Sequence, residues 1–357
     1  MSAFLRQPLR LPPNRIRVFY RGGALIDRLR GIPNPTDDDR PEDWVGSVTA
    51  LGWPGRDPAD GVSMVEIDGR RMSLADLVRD HPTDMLGEDH IRRVGPTPSL
   101  LVKLLDTSVR LPVHSHPTRA FAREHLAWPH GKTEAWIVIG TRQMGEEPSV
   151  YLGWRRQIAH DELLTWIREQ SIADLLGALH RVVVQAGDVI YVPAGLPHAI
   201  GPGVFIVELQ EPMSLSVLME YQGFPIDPDA AHLGVGWDRA VQSVDRTAYT
   251  RAEMMSRFVS RVPDTVGSAD LFGAVAAPYF GASWIRLSGE TDVAVAAGFA
   301  IGIVLEGTGA LAGPEGACSL RRGDQFLVPC AMGPHRIRAG AGGLSVIRCL
   351  PPSATTV

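Results

Sequence analysis

Gly187-Asp188-Val189-Ile190-Tyr191-Val192-Pro193-Ala194-Gly195-Leu196-Pro197-His198 is the stretch on which the reading of this chain turns. A Gly-Asp turn opens it, and Val189 to Val192 reads as a short strand. Pro193-x-Gly195 ends that strand in a tight turn and sends His198 back across its mouth. Upstream, Val113-His114-Ser115-His116-Pro117 places two imidazoles at i and i+2. They share one face if Leu111 to His116 is extended. Between the two stretches, Glu134 opens the strand-like run Glu134-Ala135-Trp136-Ile137-Val138-Ile139, which stops at Gly140, and it shares a face with Trp136 and Val138. His114, His116, Glu134 and His198 together offer three imidazoles and a carboxylate, a full ligand set for one divalent metal ion. Zinc suits it first, and Fe²⁺, Mn²⁺ or Co²⁺ would also be accepted. Two histidines at i, i+2 recur by chance. What singles these out is the longer string, in this order, with a glutamate between.

Around this centre the composition is that of a soluble globular protein. Of 357 residues, 45% are hydrophobic and 21% charged, enough core for two or three packed units. A net charge of −5 provides no basic patch and argues against nucleic acid as a partner. The 37 glycines and 28 prolines fit many short strands and turns. No apolar run reaches membrane-spanning length and no signal-peptide core opens the chain, so the expectation is a cytoplasmic protein without membrane partners, monomeric or homodimeric. Cys318, Cys330 and Cys349 are odd in number and irregular in spacing, which suits reduced structural thiols and no metal site.

Met1 to about Asn14 reads as a loose lead-in, and Pro33 to Pro41 as a polar loop. Ser73 is placed to cap a short helix from Leu74 to about Arg79. Strands dominate from Leu100 to Leu152 and again from Val182 to about Leu218. Between them Asp161 to about Leu179 has helical spacing, in two short pieces. Arg251 to Phe258 reads as helix, and the last hundred residues as strands separated by glycine turns. The Gly187-Asp188, Val192-Pro193, His198 pattern returns as Gly323-Asp324, Val328-Pro329, His335, at an offset of about 136 residues. No histidine lies between Phe272 and Arg322, so a second barrel on this template would lack the metal site, and His335 would be a packing or surface residue. The expected fold is mainly β. A resemblance to the cupins, carried by the His114-Ser115-His116, Glu134 and Gly187 to His198 segments, implies a double-stranded β-helix (jelly-roll) barrel with a metal site over residues 1–230, including a helical insertion at about 158–180. A degenerate cupin-like β domain follows over residues 231–357.

The pattern resembles a cupin, and more narrowly it is similar to the class I mannose-6-phosphate isomerases. The segments that carry the likeness are Leu100 to Asp106, His116-Pro117, Gly131-Lys132-Thr133-Glu134-Ala135-Trp136, Leu179 to Asp188 and Val192 to Gly201, with fainter matches at Gly22-Gly23 and Glu42-Asp43-Trp44. The likeness runs from about Tyr20 to about Gly340 and is strongest in the central third. It implies a metal-dependent aldose–ketose isomerase that interconverts mannose 6-phosphate and fructose 6-phosphate through an enediol(ate). His114, His116, Glu134 and His198 would hold the ion. Lys132, in the family's K-x-E motif, would face the same cavity and act with Glu134 in catalysis. Glu208 and Gln210 match an E-x-Q that lines the substrate pocket.

Three departures bear on the substrate. His114 stands where the family commonly has glutamine. Pro112 replaces a serine that faces substrate, and proline donates no hydrogen bond. The family's catalytic arginine, ten residues after the glutamate of its E-x-Q, is here Leu218, and Glu211 to Tyr221 contains no arginine. Arg119 is the candidate replacement for binding a phosphate, with Arg123, Arg110 and Arg142 as further options. The alternatives are an isomerase of a different or non-phosphorylated sugar, a non-catalytic metal-bearing cupin that binds sugar or sugar phosphate, and an iron-dependent dioxygenase.

Overall fold

The computed structural model describes residues 3–52 and 57–354. Strand order in the first sheet is Val259–Arg261, Asp188–Val192, Glu134–Thr141, Val204–Gln210, Leu101–Asp106, Glu42–Val45, Arg15–Ile16, all antiparallel. Facing it is a five-stranded sheet, Leu179–Val183, Ser149–Trp154, His198–Ile200, His114–Ser115, Val217–Leu218. Their inner faces share one core, in which Trp136, Val138, Ile190 and Ile206 meet Val150, Leu152 and Ile200. This is the jelly-roll sandwich expected of a cupin. The outer face of the seven-stranded sheet is covered as well. Val102, Leu104, Ile137, Val207 and Leu209 pack against Phe280, Ile301, Ile303, Leu327 and Ile347 of the C-terminal sheet. Burial on both faces explains why Val204–Gln210 is apolar almost throughout instead of alternating.

The C-terminal sheet has eight strands, six of them in the path Leu9–Arg10, Gln325–Val328, Ala300–Gly313, His335–Leu350, Gly281–Leu287, Gly267–Asp270. Asp292–Val295 also pairs with His335–Leu350, and Gly316–Arg321 with Ala300–Gly313. The two long strands bend around a core of their own, formed by Ile285, Val304, Leu311, Phe326, Ile337 and Val346.

Two elements cross the expected boundary at residue 230. Leu9–Arg10 pairs with the C-terminal strand Gln325–Val328, and Val259–Arg261 pairs with Asp188–Val192 of the first sheet. The N-terminal segment is therefore no loose lead-in among the described residues, because Leu5, Leu9 and Leu11 are buried between the two sheets. Ser73 caps Leu74–Asp80, its side chain accepting from Asp76 N at 3.3 Å. The insertion forms two helices, His160–Glu169 and Ile172–Gly177, seated by Leu163, Ile167 and Leu175. Arg251–Phe258 is helical, with a capping box between Thr250 and Glu253. A helix at Arg119–His125 interrupts the run expected to be strand, started by Thr118, whose side chain accepts from Phe121 N. All three cysteines are free. Among the described residues no helix is long and apolar enough to cross a membrane.

Candidate metal centre

Strand pairing brings the distant ligand candidates together. His198 lies directly opposite His114, and Glu134 opposite both Val192 and Gln210. The turn after Val192 is pinned by Gly195 N donating to His116 O at 2.7 Å. One ring nitrogen from each of His114, His116 and His198 lies within 4.8 Å of the others, and all three residues are buried. Glu134 Oε2 is 3.1 Å from His116 Nε2, and Oε1 is 3.3 Å from His198 Nε2. Lys132 Nζ stands 3.0 Å from both Glu134 Oε2 and His116 Nε2.

Each imidazole is oriented by its other nitrogen. His114 Nδ1 bonds Pro112 O at 2.8 Å, His198 Nδ1 bonds Leu196 O at 2.8 Å, and His116 Nδ1 meets Leu215 O at 3.3 Å. A carbonyl only accepts, so Nδ1 carries a proton and each ring turns its Nε2 inward. Burial, with His198, His116 and Lys132 nearby, pushes His114 well below the usual imidazole range, and burial beside the Lys132 ammonium takes His116 down to about 3. Burial alone would raise the Glu134 carboxyl, but Lys132 and the imidazoles hold it well below the carboxylate range. The consequence is two acceptors face to face. The buried His198 Nε2 has no hydrogen-bond partner and points at a carboxylate oxygen. Lys132 supplies positive charge on the His116 side, and the His198 side calls for a cation. The donor set fits a divalent ion.

A cavity adjoins this centre. Tyr20, Glu42, Lys103, His114, Lys132, Glu134 and Glu208 are its buried polar lining, and Val18, Phe19, Ser214, Ser216 and Leu218 are its half-buried residues. Lys103 Nζ is 3.0 Å from Glu208 Oε2 and 3.5 Å from Glu42 Oε2. Glu42 also accepts from Tyr20 Oη at 2.5 Å and Trp44 Nε1 at 2.7 Å. Burial, together with the Glu134 and Glu42 charges, pushes Glu208 up to about 7 against the pull of Lys103 and Lys132.

Lys132, Glu134 and Glu208 therefore share the cavity with His114. Gln210 is buried on the same strand face, but its amide turns to Glu211 O and Met213 O. Arg119 is not brought to the cavity: Glu211 takes its Nε at 2.5 Å and Tyr279 stacks on it at 4.5 Å. Arg110 forks onto Glu220 with two contacts of 2.6 Å, Arg142 is held by Asp37 and Asp106, and Arg123 is exposed. Among the described residues no guanidinium lines the cavity, and Leu218 does. Sequence reasoning assigned no role to Lys103, Glu42 or Tyr20. The available signal was a lysine amid Leu101-Val102-Lys103-Leu104-Leu105, buried like its neighbours. Gly131 sets the approach of the Lys132 loop to the His116 turn, because a Cβ there would lie 2.6 Å from Arg119 N and 2.9 Å from Pro117 O.

Comparisons with known proteins find similarity to mannose-6-phosphate isomerases in both sequence and fold. Residues 273–349 match the family model described as mannose-6-phosphate isomerase, cupin domain; the match falls on the C-terminal sheet. The chain is 29% identical over 257 residues to a mannose-6-phosphate isomerase of Streptococcus mutans, covering 70% of this chain and 75% of that one. It is 26% identical over 243 residues to the mannose-6-phosphate isomerase ManA of Bacillus subtilis, covering 68% and 72%. In fold it resembles the crystal structure of the Bacillus subtilis mannose 6-phosphate isomerase, with a TM-score of 0.70 at 23% identity over 96% of this chain and 99% of that one. A lysine-to-alanine mutant of phosphomannose isomerase from Salmonella typhimurium superposes equally well, with a TM-score of 0.70 at 17% identity over 96% and 99%.

Proposed function

We propose that this chain is a metal-dependent aldose–ketose isomerase of the cupin-fold mannose-6-phosphate isomerase type, interconverting mannose 6-phosphate and fructose 6-phosphate. The observation that carries the reading is the inward convergence of three Nε2 atoms and Glu134 beside a cavity holding Lys132 and Glu208. His114, His116, His198 and Glu134 would hold the ion, zinc by the character of the donors. Bound there, it would supply Lewis acidity to the sugar's oxygens.

The chain's own residues do the rest. The reaction moves a proton between C1 and C2 and builds negative charge on the oxygens of an enediol(ate). Glu208, with its carboxyl near 7, is poised to take and return that proton at neutral pH. Lys103 orients Glu208 and keeps the buried carboxylate compensated. The Lys132 ammonium, already paired to Glu134, steadies developing negative charge. Trp44, Leu105, Leu111 and Ile200 line the same cavity and limit water there.

A second reading has its own observation. Both cavity lysines are ion-paired and no arginine lines the cavity, so a phosphate dianion finds no free cation among the described lining residues. This favours a neutral sugar as substrate of the same reaction. The test is exchange of the C2 proton with D₂O in metal-loaded enzyme, followed for mannose and mannose 6-phosphate side by side. Exchange and ketose formation with mannose 6-phosphate support the first reading, and with mannose alone the second. Exchange with neither sugar refutes both readings.

A further inference from the structure

The C-terminal sheet repeats the register of the seven-stranded sheet. In the first, Glu208 lies opposite Lys103 on one side and Trp136 on the other, and Trp136 lies opposite Ile190. In the second, Arg348 lies opposite Ser283 and Gly302, and Gly302 lies opposite Phe326. His198 opposite His114 becomes His335 opposite Val295, and Glu134 opposite Val192 becomes Ala300 opposite Val328. Two metal-ligand positions have thus become valine and alanine, which removes the metal centre. The polar positions persist with altered chemistry: Arg348 for Glu208, Ser283 for Lys103, and His335 for His198.

These three side chains are left unsatisfied. His335 is 4% exposed; its Nδ1 bonds Gly333 O at 3.1 Å, and its buried Nε2 has no partner. Ser283 Oγ is buried and unpartnered too. Arg348 is half-buried and, among the described residues, has no hydrogen bond or ion pair. Its charge reaches His335, adding to burial in holding that imidazole below its usual range. The surrounding core is apolar, formed by Ile285, Leu344, Val346 and Phe326. Phe326 packs over Gly302, where a Cβ would lie 2.1 Å from its ring, and so occupies the space beside Arg348. A guanidinium in such surroundings is costly without an anion, and its planar fork matches an oxyanion.

We propose that Arg348, Ser283 and His335 form a second, metal-free binding site in the C-terminal sheet for a small hydroxyl-bearing oxyanion of the sugar-acid or sugar-phosphate type. The guanidinium takes the oxyanion in its fork. His335 Nε2, with its lone pair inward, accepts from an adjacent ligand hydroxyl, and Ser283 Oγ completes the ring of contacts.

Calorimetric titration of the metal-loaded full chain tests this, with glycerol 3-phosphate, gluconate and sulfate as probes. A saturable event is expected with glycerol 3-phosphate if the site prefers phosphate and with gluconate if it prefers carboxylate, with sulfate weaker than the better probe because it has no hydroxyl to donate. Arg348→Met should weaken the better probe at least about tenfold. Metal content and isomerase turnover should stay unchanged, since this site is separate from the first centre. Curves for Arg348→Met that superimpose on wild type overturn the proposal, as does the absence of saturable binding of either organic probe up to about 20 mM. If Arg348→Met does not fold by circular dichroism, Ser283→Ala and His335→Phe decide. A severalfold loss in both supports the site, and wild-type curves in both refute it.

Discussion

Replacing Lys103 by Met should expose how the buried charges of the cavity depend on one another. Lys103 is 5% exposed, 3.0 Å from Glu208 and 3.5 Å from Glu42. Glu42 keeps its bonds from Tyr20 and Trp44 when the lysine is gone, so the uncompensated charge falls mainly on Glu208. Breaking a buried pair on one side costs about 3–5 kcal/mol. For a chain of 357 residues, about 4 kcal/mol corresponds to a Tm lower by about 5 °C. The loss should depend on pH. Glu208 is raised from 4.5 to about 7 in the folded protein, so its protonated form favours folding. That contribution, about 3 kcal/mol, is complete below about pH 4.5 and is lost as pH rises through about 7. Without Lys103 the carboxyl rises further, so the variant should lose little at pH 5.5 and most at pH 8. Thermal unfolding of metal-free protein at both pH values, followed by circular dichroism, measures it. The double variant Lys103→Met/Glu208→Gln should recover more than half of the loss at pH 8. A pH-independent loss, or a double variant no more stable than Lys103→Met alone, would refute charge compensation and leave only packing of the lysine stem.

Further outcomes follow from the same geometry. His198→Ala and Glu134→Gln should each lose bound metal on dialysis, read by elemental analysis, and a full equivalent retained in both would refute the ligand assignment. Lys132→Met should keep its metal, and bind it more tightly because a cation 3.0 Å from His116 Nε2 and Glu134 Oε2 is gone, while turnover falls by about 10²–10⁴. Glu208→Gln should abolish the acid limb near pH 7 in the pH profile of kcat/KM, and an unchanged limb would remove Glu208 as the base. Gly131→Ala must push the Lys132 loop away from the His116 turn, because the new Cβ meets backbone atoms, and turnover should drop by up to about 10² with Tm lowered as well.

Much of the convergence of His114, His116 and His198 was legible because its signals are local. His114 and His116 share a face by the two-residue period of a strand, and Pro193-x-Gly195 marks the turn that returns His198. The caps at Ser73 and at Thr250 with Glu253 are local too, and the helices they start lie where the pattern places them. Arg119–His125 escaped because a seven-residue helix inside a strand-rich region has little periodicity to read. The N-terminal segment escaped because Leu5, Leu9 and Leu11 have no pattern until a sheet more than three hundred residues away covers them.

By itself the amino-acid order determined the β class and the faces on which the candidate ligand side chains stand. The tertiary structure alone decided which charges meet. Lys103 joins Glu208 and Glu42 because three strands distant in sequence align in one register, and Arg119, Arg110 and Arg142 are drawn off by Glu211, Glu220 and the pair Asp37 and Asp106. Side-chain parity is a property of one strand, written every second residue. Ion pairing across strands depends on sheet order and register, which arise only when the whole chain buries its apolar faces together.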